Sequence, residues 1–170
     1  PSVTTKEDTP YTFHVTADNP DKNDVLTLHV FSSNTKLLPS SRITIEEISA
    51  GYWNVVLDPS PNEHGQTQIT VQVVDRAGEF AEHRFVLTVD PVNDEPVIDD
   101  IPDVFRELGV TQIDVTVRVT DVESTASGLT VTANALNPLL IADVLTQNIG
   151  PEHWRITLIP PAGQEGSTQV

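Results

Sequence analysis

The side chains in this chain best placed to do chemistry are carboxylates, and they crowd into one place. Asp90-Pro91-Val92-Asn93-Asp94-Glu95-Pro96 packs three acids and an amide into seven residues, and Asp121-Val122-Glu123 adds two more acids just after a strand-like run. Glu7-Asp8 precedes the first long strand-like run. Hard oxygen donors at this density suit calcium, which takes about six to eight oxygens at roughly 2.3–2.6 Å from carboxylates, amide side chains and backbone carbonyls. The same residues also cap turns, since Asp and Asn side chains accept hydrogen bonds from nearby backbone N–H groups.

Other chemistries find less material. His14 and His29 both take outward positions on alternating strands and could face each other as a zinc pair, but no third ligand stands near them in sequence. A lysine–asparagine isopeptide bond needs a buried amine beside a buried acid, and Lys6, Lys22 and Lys36 are each flanked by polar residues. The chain holds no phosphate-cradling glycine loop, no Gly-x-Ser-x-Gly elbow and no His-Glu-x-x-His, and no serine or threonine has an evident base. The chain is expected not to be an enzyme.

What must position the acids is β-structure. Apolar and polar residues alternate in Phe13–Val15, Leu26–Val30, Ile43–Ile45, Trp53–Leu57, Ile69–Val73 and Phe85–Val89, with period two throughout. Turn formers such as Asp18-Asn19-Pro20-Asp21, Pro59-Ser60-Pro61-Asn62 and Arg76-Ala77-Gly78 separate these runs. Short strands at this spacing predict an all-β fold of two-sheet sandwiches. Asn137-Pro138-Leu139-Leu140 could form a single helical turn, as could the shorter Asn34–Pro39 segment.

The chain repeats itself. Trp53-Asn54-Val55-Val56-Leu57 recurs as Trp154-Arg155-Ile156-Thr157-Leu158, and Gly65-Gln66-Thr67-Gln68-Ile69 as Gly166-Ser167-Thr168-Gln169-Val170, at an offset of 101 residues. Asn34 with Leu37-Leu38 pairs with Asn137 and Leu140-Ile141 at an offset of 103. With one residue skipped, Phe13–Asp18 aligns with Val117–Asp121. A period this long is a whole domain. The expected domains are residues 1–92 and 93–170, the second lacking its last two strands, in a window cut from a longer chain without methionine. The two tryptophans open equivalent strands and are assigned to the core, because aromatic residues make up only 5% of the chain and form no exposed row.

Twenty-five acidic residues against nine basic ones give a net charge of −16, which repels nucleic acid and anionic membrane alike. Cysteine is absent, so disulfides and thiolate metal sites are excluded. No apolar run is long enough to span a bilayer.

Asp90–Pro96 resembles the Asp-x-Asn-Asp-x-x-Pro linker of cadherin repeats with one residue added, and Pro-Val-Asn-Asp-Glu-Pro resembles the joins of bacterial cadherin-like and Ig-like tandem repeats. Val71–Gly78 is similar to the cadherin strand end Ala-x-Asp-x-Gly, and Asp121-Val122-Glu123 to the Asp-Ala-Asp turn. The resemblance implies two tandem Greek-key sandwiches in a large secreted or surface-anchored bacterial protein, a spacer or adhesion stalk. It further implies calcium at the join, held by Glu7, Asp90, Asn93, Asp94, Asp121 and Glu123, with Asp18 and Asp75 serving a preceding join. Neighbouring repeats are the implied partners, with surface proteins, glycans or a strand-swapped or homotypic second copy as further candidates. The rival reading is a carbohydrate- or ligand-binding accessory module of a secreted enzyme.

Overall fold

The structure is a computed structural model that describes residues 1–18, 25–107, 109–125, 128–163 and 165–169. Asn19, Pro20, Asp21, Lys22 and Val170, invoked above for a turn, a crosslink and the repeat, lie outside these residues. The chain divides into two compact units, Pro1–Val92 and Asn93–Val170. All regular structure described is β apart from one 3-10 turn at Ser40–Arg42. Among the described residues no helix is long and apolar enough to cross a membrane.

Among the described residues of the first unit, seven strands form two sheets. β1 (Ser2–Lys6), β3 (Thr27–Ser32), β6 (Gly65–Val74) and β7 (Phe80–Asp90) make one, in the order β1-β7-β6-β3. β2 (Tyr11–Thr16), β4 (Ile43–Ser49) and β5 (Tyr52–Leu57) make the other, in the order β2-β5-β4. Alternation puts one side chain in two on the inner faces, so Val55 and Leu57 meet Ile69, Val71, Leu87 and Val89 in a single core. Leu37 and Leu38, delivered by the turn after Asn34, close one end of it. The six anticipated runs are strands. β1 was not anticipated, because Ser2-Val3-Thr4-Thr5-Lys6 carries one strongly apolar residue and pairs in parallel with a strand more than eighty residues away, Ser2 opposite Val86.

The second unit holds β8 (Val97–Ile98), β9 (Ile113–Thr120), β10 (Asp143–Gly150) and β11 (His153–Ile159) in one sheet, ordered β10-β11-β9-β8. Val117, Val119, Ile141, Ile156 and Leu158 are its core, and Leu129, Val131, Ala133 and Ala135 pack over them without forming a strand. In the first unit the matching segment is β3, held in its ladder by β6.

Local devices recur in both units. Asn34 Oδ1 accepts the amides of Lys36 and Leu37, and the Asn34 amide donates to Thr67 Oγ1 at 3.0 Å. Asn137 Oδ1 accepts the Leu139 amide, and the Asn137 amide donates to Thr168 Oγ1 at 3.0 Å. Each asparagine therefore opens one turn and docks it on a threonine about thirty residues downstream, on β6 in the first unit and in an irregular segment in the second, which settles both segments as turns. Both units also carry the same bulge. The register shifts between Glu47 and Ser49 against β5 and between Asn148 and Gly150 against β11, leaving Ile48 and Ile149 as the extra residues.

The ladders correct one alignment. Val15 lies opposite Trp53 and Val117 opposite Trp154, so the counterpart of Val117 is Val15, not Phe13. The true offset in this strand is 102 residues, and Ala17 corresponds to Val119. In agreement, the Ala17 amide donates to the Gly51 carbonyl at 2.9 Å and the Val119 amide to the Glu152 carbonyl at 2.8 Å. Both hairpin residues have positive φ, 71° at Gly51 and 60° at Glu152. At position 51 a Cβ would stand 2.3 Å from the Ala17 carbonyl oxygen, so glycine is required there by space as well as by dihedral.

Thr67 is one of two buried polar residues among those described, with Oγ1 taking the Asn34 amide and sharing a 2.7 Å hydrogen bond with Ser32 Oγ. Thr67→Val keeps the shape and strands the Asn34 amide, so it should lower unfolding free energy by about 1–3 kcal/mol in chemical denaturation. On the second sheet Asp114 Oδ1 accepts Thr157 Oγ1 at 2.7 Å and Gln112 Nε2 at 2.9 Å, and these bonds hold its carboxyl below the ordinary value. A depressed folded-state pKa favours the fold above the unfolded value and is lost as pH falls through the folded one. In an NMR carboxyl titration Thr157→Val should move the Asp114 midpoint upward toward the ordinary aspartate value.

Candidate functional site

Each unit gathers its own share of the acids. In the first, β1 runs out at Lys6, which lies opposite Asp90 on β7, and the next residue turns inward. Glu7 is consequently 3% exposed, the only buried ionisable residue among those described. Its amide donates to the Asp90 carbonyl at 2.9 Å, and its Oε1 accepts the Val92 amide. His64 Nδ1 stands 4.0 Å from Oε2. Glu7 thus clasps the last residues of the unit, tying the end of β7 to the end of β1. Asp90 itself is exposed, and its carbonyl is the part used.

In the second unit four predicted ligands are joined by hydrogen bonds. Asp121 leaves β9 and its Oδ1 accepts the amides of Glu123 at 3.1 Å and Ser124 at 2.6 Å, so the acid closes its own turn. The Glu123 carboxylate reaches back, Oε2 accepting the Asp94 amide at 3.1 Å. Asn93 Nδ2 donates to the Asp94 carbonyl at 2.6 Å. The structure therefore brings Asn93, Asp94, Asp121 and Glu123 into one chain of contacts. One oxygen each of Asp121 and Glu123 is used to hold backbone amides, which is the turn-capping role.

The fit to a cation is partial. These residues supply hard oxygen donors, but among the described residues no three carboxylate or imidazole groups converge in a way that would hold a metal ion. Calcium bound here would draw on Asp94, Asp121 and Glu123 together with backbone carbonyls and water.

Asp75 serves a hairpin. Its Oδ1 accepts the Glu79 amide at 2.8 Å and its amide donates to the Glu79 carbonyl at 2.9 Å, closing the turn between β6 and β7. Asp18 lies exposed just beyond β2. The strand correction makes Thr120 the counterpart of Asp18 and places Asp121 one position further on.

The histidine pair does not form. His14 is on β2 and His29 on β3, in different sheets, so no ladder sets them face to face. His14 stacks on Tyr52 at 5.4 Å and His29 on Phe31 at 6.2 Å. Lys6 is exposed, and Lys36 is exposed and paired with Glu63 at 2.9 Å, so neither offers the buried amine an isopeptide bond needs. Trp53 is 3% exposed in the first core, and Trp154 packs on the second. The feature sequence reasoning passed over is the burial of Glu7, whose only signal was an acid one residue past an alternating run.

A family model described as "Bacterial Ig domain" matches residues 1–88. No curated protein sequence matches the chain. Among solved structures, the extracellular cadherin domains 1–5 of protocadherin gamma B2 are 14% identical over 95% of this chain and 31% of that one, with a TM-score of 0.47. Domains 4–9 of surface layer protein SbsC are 14% identical over 97% of this chain and 26% of that one, with a TM-score of 0.41. The endo-fucoidan hydrolase MfFcnA4 from glycoside hydrolase family 107 is 16% identical over 94% of this chain and 23% of that one, with a TM-score of 0.42. The chain spans about a quarter to a third of each of these three.

If Glu7 is what fastens the end of the first unit, Glu7→Ala should speed hydrogen exchange at the Val92 amide and lower stability by about 1–3 kcal/mol. Glu7→Gln, which retains a carbonyl acceptor, should recover most of the protection at Val92.

Proposed function

The chain belongs to the bacterial Ig domain family, and we propose that it serves as a spacer or adhesion segment of a large extracellular bacterial protein. Calcium, on this reading, stiffens the segment that joins its two units.

One observation carries the proposal. The devices that recur between the units are those that hold strands in place: the asparagine turn docked on a threonine, the isoleucine bulge and the positive-φ hairpin residue. The acids at 90–95 lie where the chain passes from one unit to the next, and four of the predicted ligands are already linked by hydrogen bonds within the second unit. A scaffold copied with fixed geometry and joined by an acidic segment suits mechanical spacing. The net charge of −16 supports an aqueous, salt-exposed location and argues against nucleic acid as a partner.

Carboxylates held near one another repel in the absence of a cation, and a bound calcium would remove that repulsion. Asp94, Asp121 and Glu123 are the proposed carboxylate donors of the second unit, with Asn93 beside them. Glu7 and Asp90 fix the end of the first unit, where the joining segment starts. The accessory-module reading has less to stand on, because both tryptophans pack into cores and offer no platform for a sugar ring.

Calorimetric titration of the full chain with calcium should show binding with Kd on the order of 10⁻⁴–10⁻³ M, the range of extracellular calcium modules. The thermal midpoint should rise with calcium, and Asp94→Ala and Asp121→Asn should each abolish both responses. An exposed acid away from the join, Glu82, should be replaceable by Gln without effect. Absence of binding heat, with scattering profiles that coincide in calcium and in chelator, would overturn the calcium part of the proposal.

A further inference from the structure

β3 is an outer strand of its sheet, which runs β1-β7-β6-β3. The Ser33 amide donates to the Gln68 carbonyl at 3.0 Å, and the ladder continues with Phe31 opposite Thr70, His29 opposite Gln72 and Thr27 opposite Val74. Hydrogen-bonded and non-hydrogen-bonded pairs alternate along an antiparallel ladder, so these residues direct their main-chain groups to β6, while Leu28, Val30 and Ser32 turn theirs outward. Among the described residues no strand lies on that side of β3.

β4, an outer strand of the other sheet, is built against pairing with a further strand. A bulge falls at Ile48, exposed Glu47 stands opposite Trp53 on the inward side, and Glu46 sits opposite Asn54 on the outward one. Bulges and inward-pointing charges are what keep an open edge unpaired. β3 has neither. Thr27–Ser32 runs along β6 without a register shift and contains no Asp, Glu, Lys or Arg, in a chain of net charge −16. Its inward residues Leu28 and Val30 are buried, but on the outer face Phe31 is 53% exposed, its ring stacked on His29 at 6.2 Å.

A strand laid on this edge must match its outward main-chain groups, and β3 of a second copy does so. About a two-fold axis at Val30, antiparallel pairing sets Val30 against Val30 and Leu28 against Ser32 in hydrogen-bonded pairs. His29 then faces Phe31 of the second copy in a non-hydrogen-bonded pair, where side chains approach most closely. A register one residue off would set outward groups against inward ones. The two ring pairs fall on the outer face and cover the Phe31 surface that a single copy leaves open. Charge favours this occupant too. Two chains of net charge −16 repel, and β3 is an edge where they meet without opposing acids. On the same face, Glu82 and Arg84 of β7 pair with each other at 2.7 Å.

We infer that β3 is a self-association edge: two copies of the chain pair antiparallel along Leu28–Ser32 and join their four-stranded sheets into one of eight strands. The contact is isologous and closes at two copies. A short strand and two ring pairs bury far less than a permanent dimer does, so the contact is reversible and gains strength where many copies are held side by side. It goes beyond a spacer role by giving neighbouring molecules a lateral contact, and it does not depend on calcium.

The absence of cysteine gives a clean test on the full chain, run in chelator throughout. A chain carrying His29→Cys is mixed with one carrying Phe31→Cys under oxidising conditions. Directly opposed residues of an antiparallel ladder bring their Cβ atoms to about 4.5–5.5 Å, within reach of a disulfide after slight adjustment. The expected result is a cross-linked heterodimer in several-fold excess over the self-linked dimer of either variant, and over the mixture of Phe31→Cys with Thr44→Cys, whose cysteine sits on the other sheet. Sedimentation equilibrium of the unmodified chain should show dimer growing with concentration. His29→Lys with Phe31→Lys, which sets lysine against lysine in both pairs, should leave monomer. His29→Lys with Phe31→Glu, which sets lysine against glutamate, should restore the dimer, each with an unchanged far-UV spectrum because both positions are exposed. A heterodimer yield no greater than the self-linked or Thr44→Cys controls would overturn the inference. So would a double-lysine chain that associates as the unmodified one does, or an unmodified chain monomeric up to roughly 1 mM.

Discussion

The first unit depends on the meeting of two inner faces, Val55 and Leu57 from one sheet with Ile69, Leu87 and Val89 from the other, each essentially shut off from water. Sheets pack about 10 Å apart, so every inner position is filled by a side chain from one strand or its opposite, and a polar group placed there must bring its own partner. Two polar residues obey that condition. Thr67 enters the core only with the Asn34 amide and the Ser32 hydroxyl on its oxygen, and Glu7 only with the Val92 amide on its own. Both join segments distant in sequence, the turn after β3 to β6 and the end of β1 to the end of β7.

Burial also separates what is scaffold from what is free to be used. The tryptophans, which might have served a ligand, are held in or against cores, and the histidines stack on rings of their own sheets. The acids of the second unit are exposed or half-buried and engaged with backbone amides, so their geometry is fixed without being sealed from solvent.

Legibility in the sequence followed the range of the interaction. Strands with strict alternation, Trp53–Leu57 or Phe85–Val89, were readable because period two is a local property. β1 was not, since a strand with one strongly apolar side chain is stabilised by a partner at the other end of the unit. The first strand of the repeat was aligned two residues out of place for a related reason. A shift of two leaves every side chain on the same face, so the pattern Phe-His-Val fits Val-Arg-Val equally well in either register, and only the ladder against the tryptophan strand discriminates. At the join, the sequence showed the density of acids but not their division into a buried clasp at Glu7 and a partly exposed chain at Asp94, Asp121 and Glu123.

By itself, then, the sequence determined the β class, the repeated scaffold, the negative charge and the place where carboxylates gather, because each of these is a matter of local pattern or composition. Tertiary structure decided which carboxylate is buried, that His14 and His29 belong to different sheets, and which residue faces which across each ladder. Those outcomes depend on pairings between residues far apart in the chain, where a step of two residues costs nothing locally and is fixed only when whole faces close on one another.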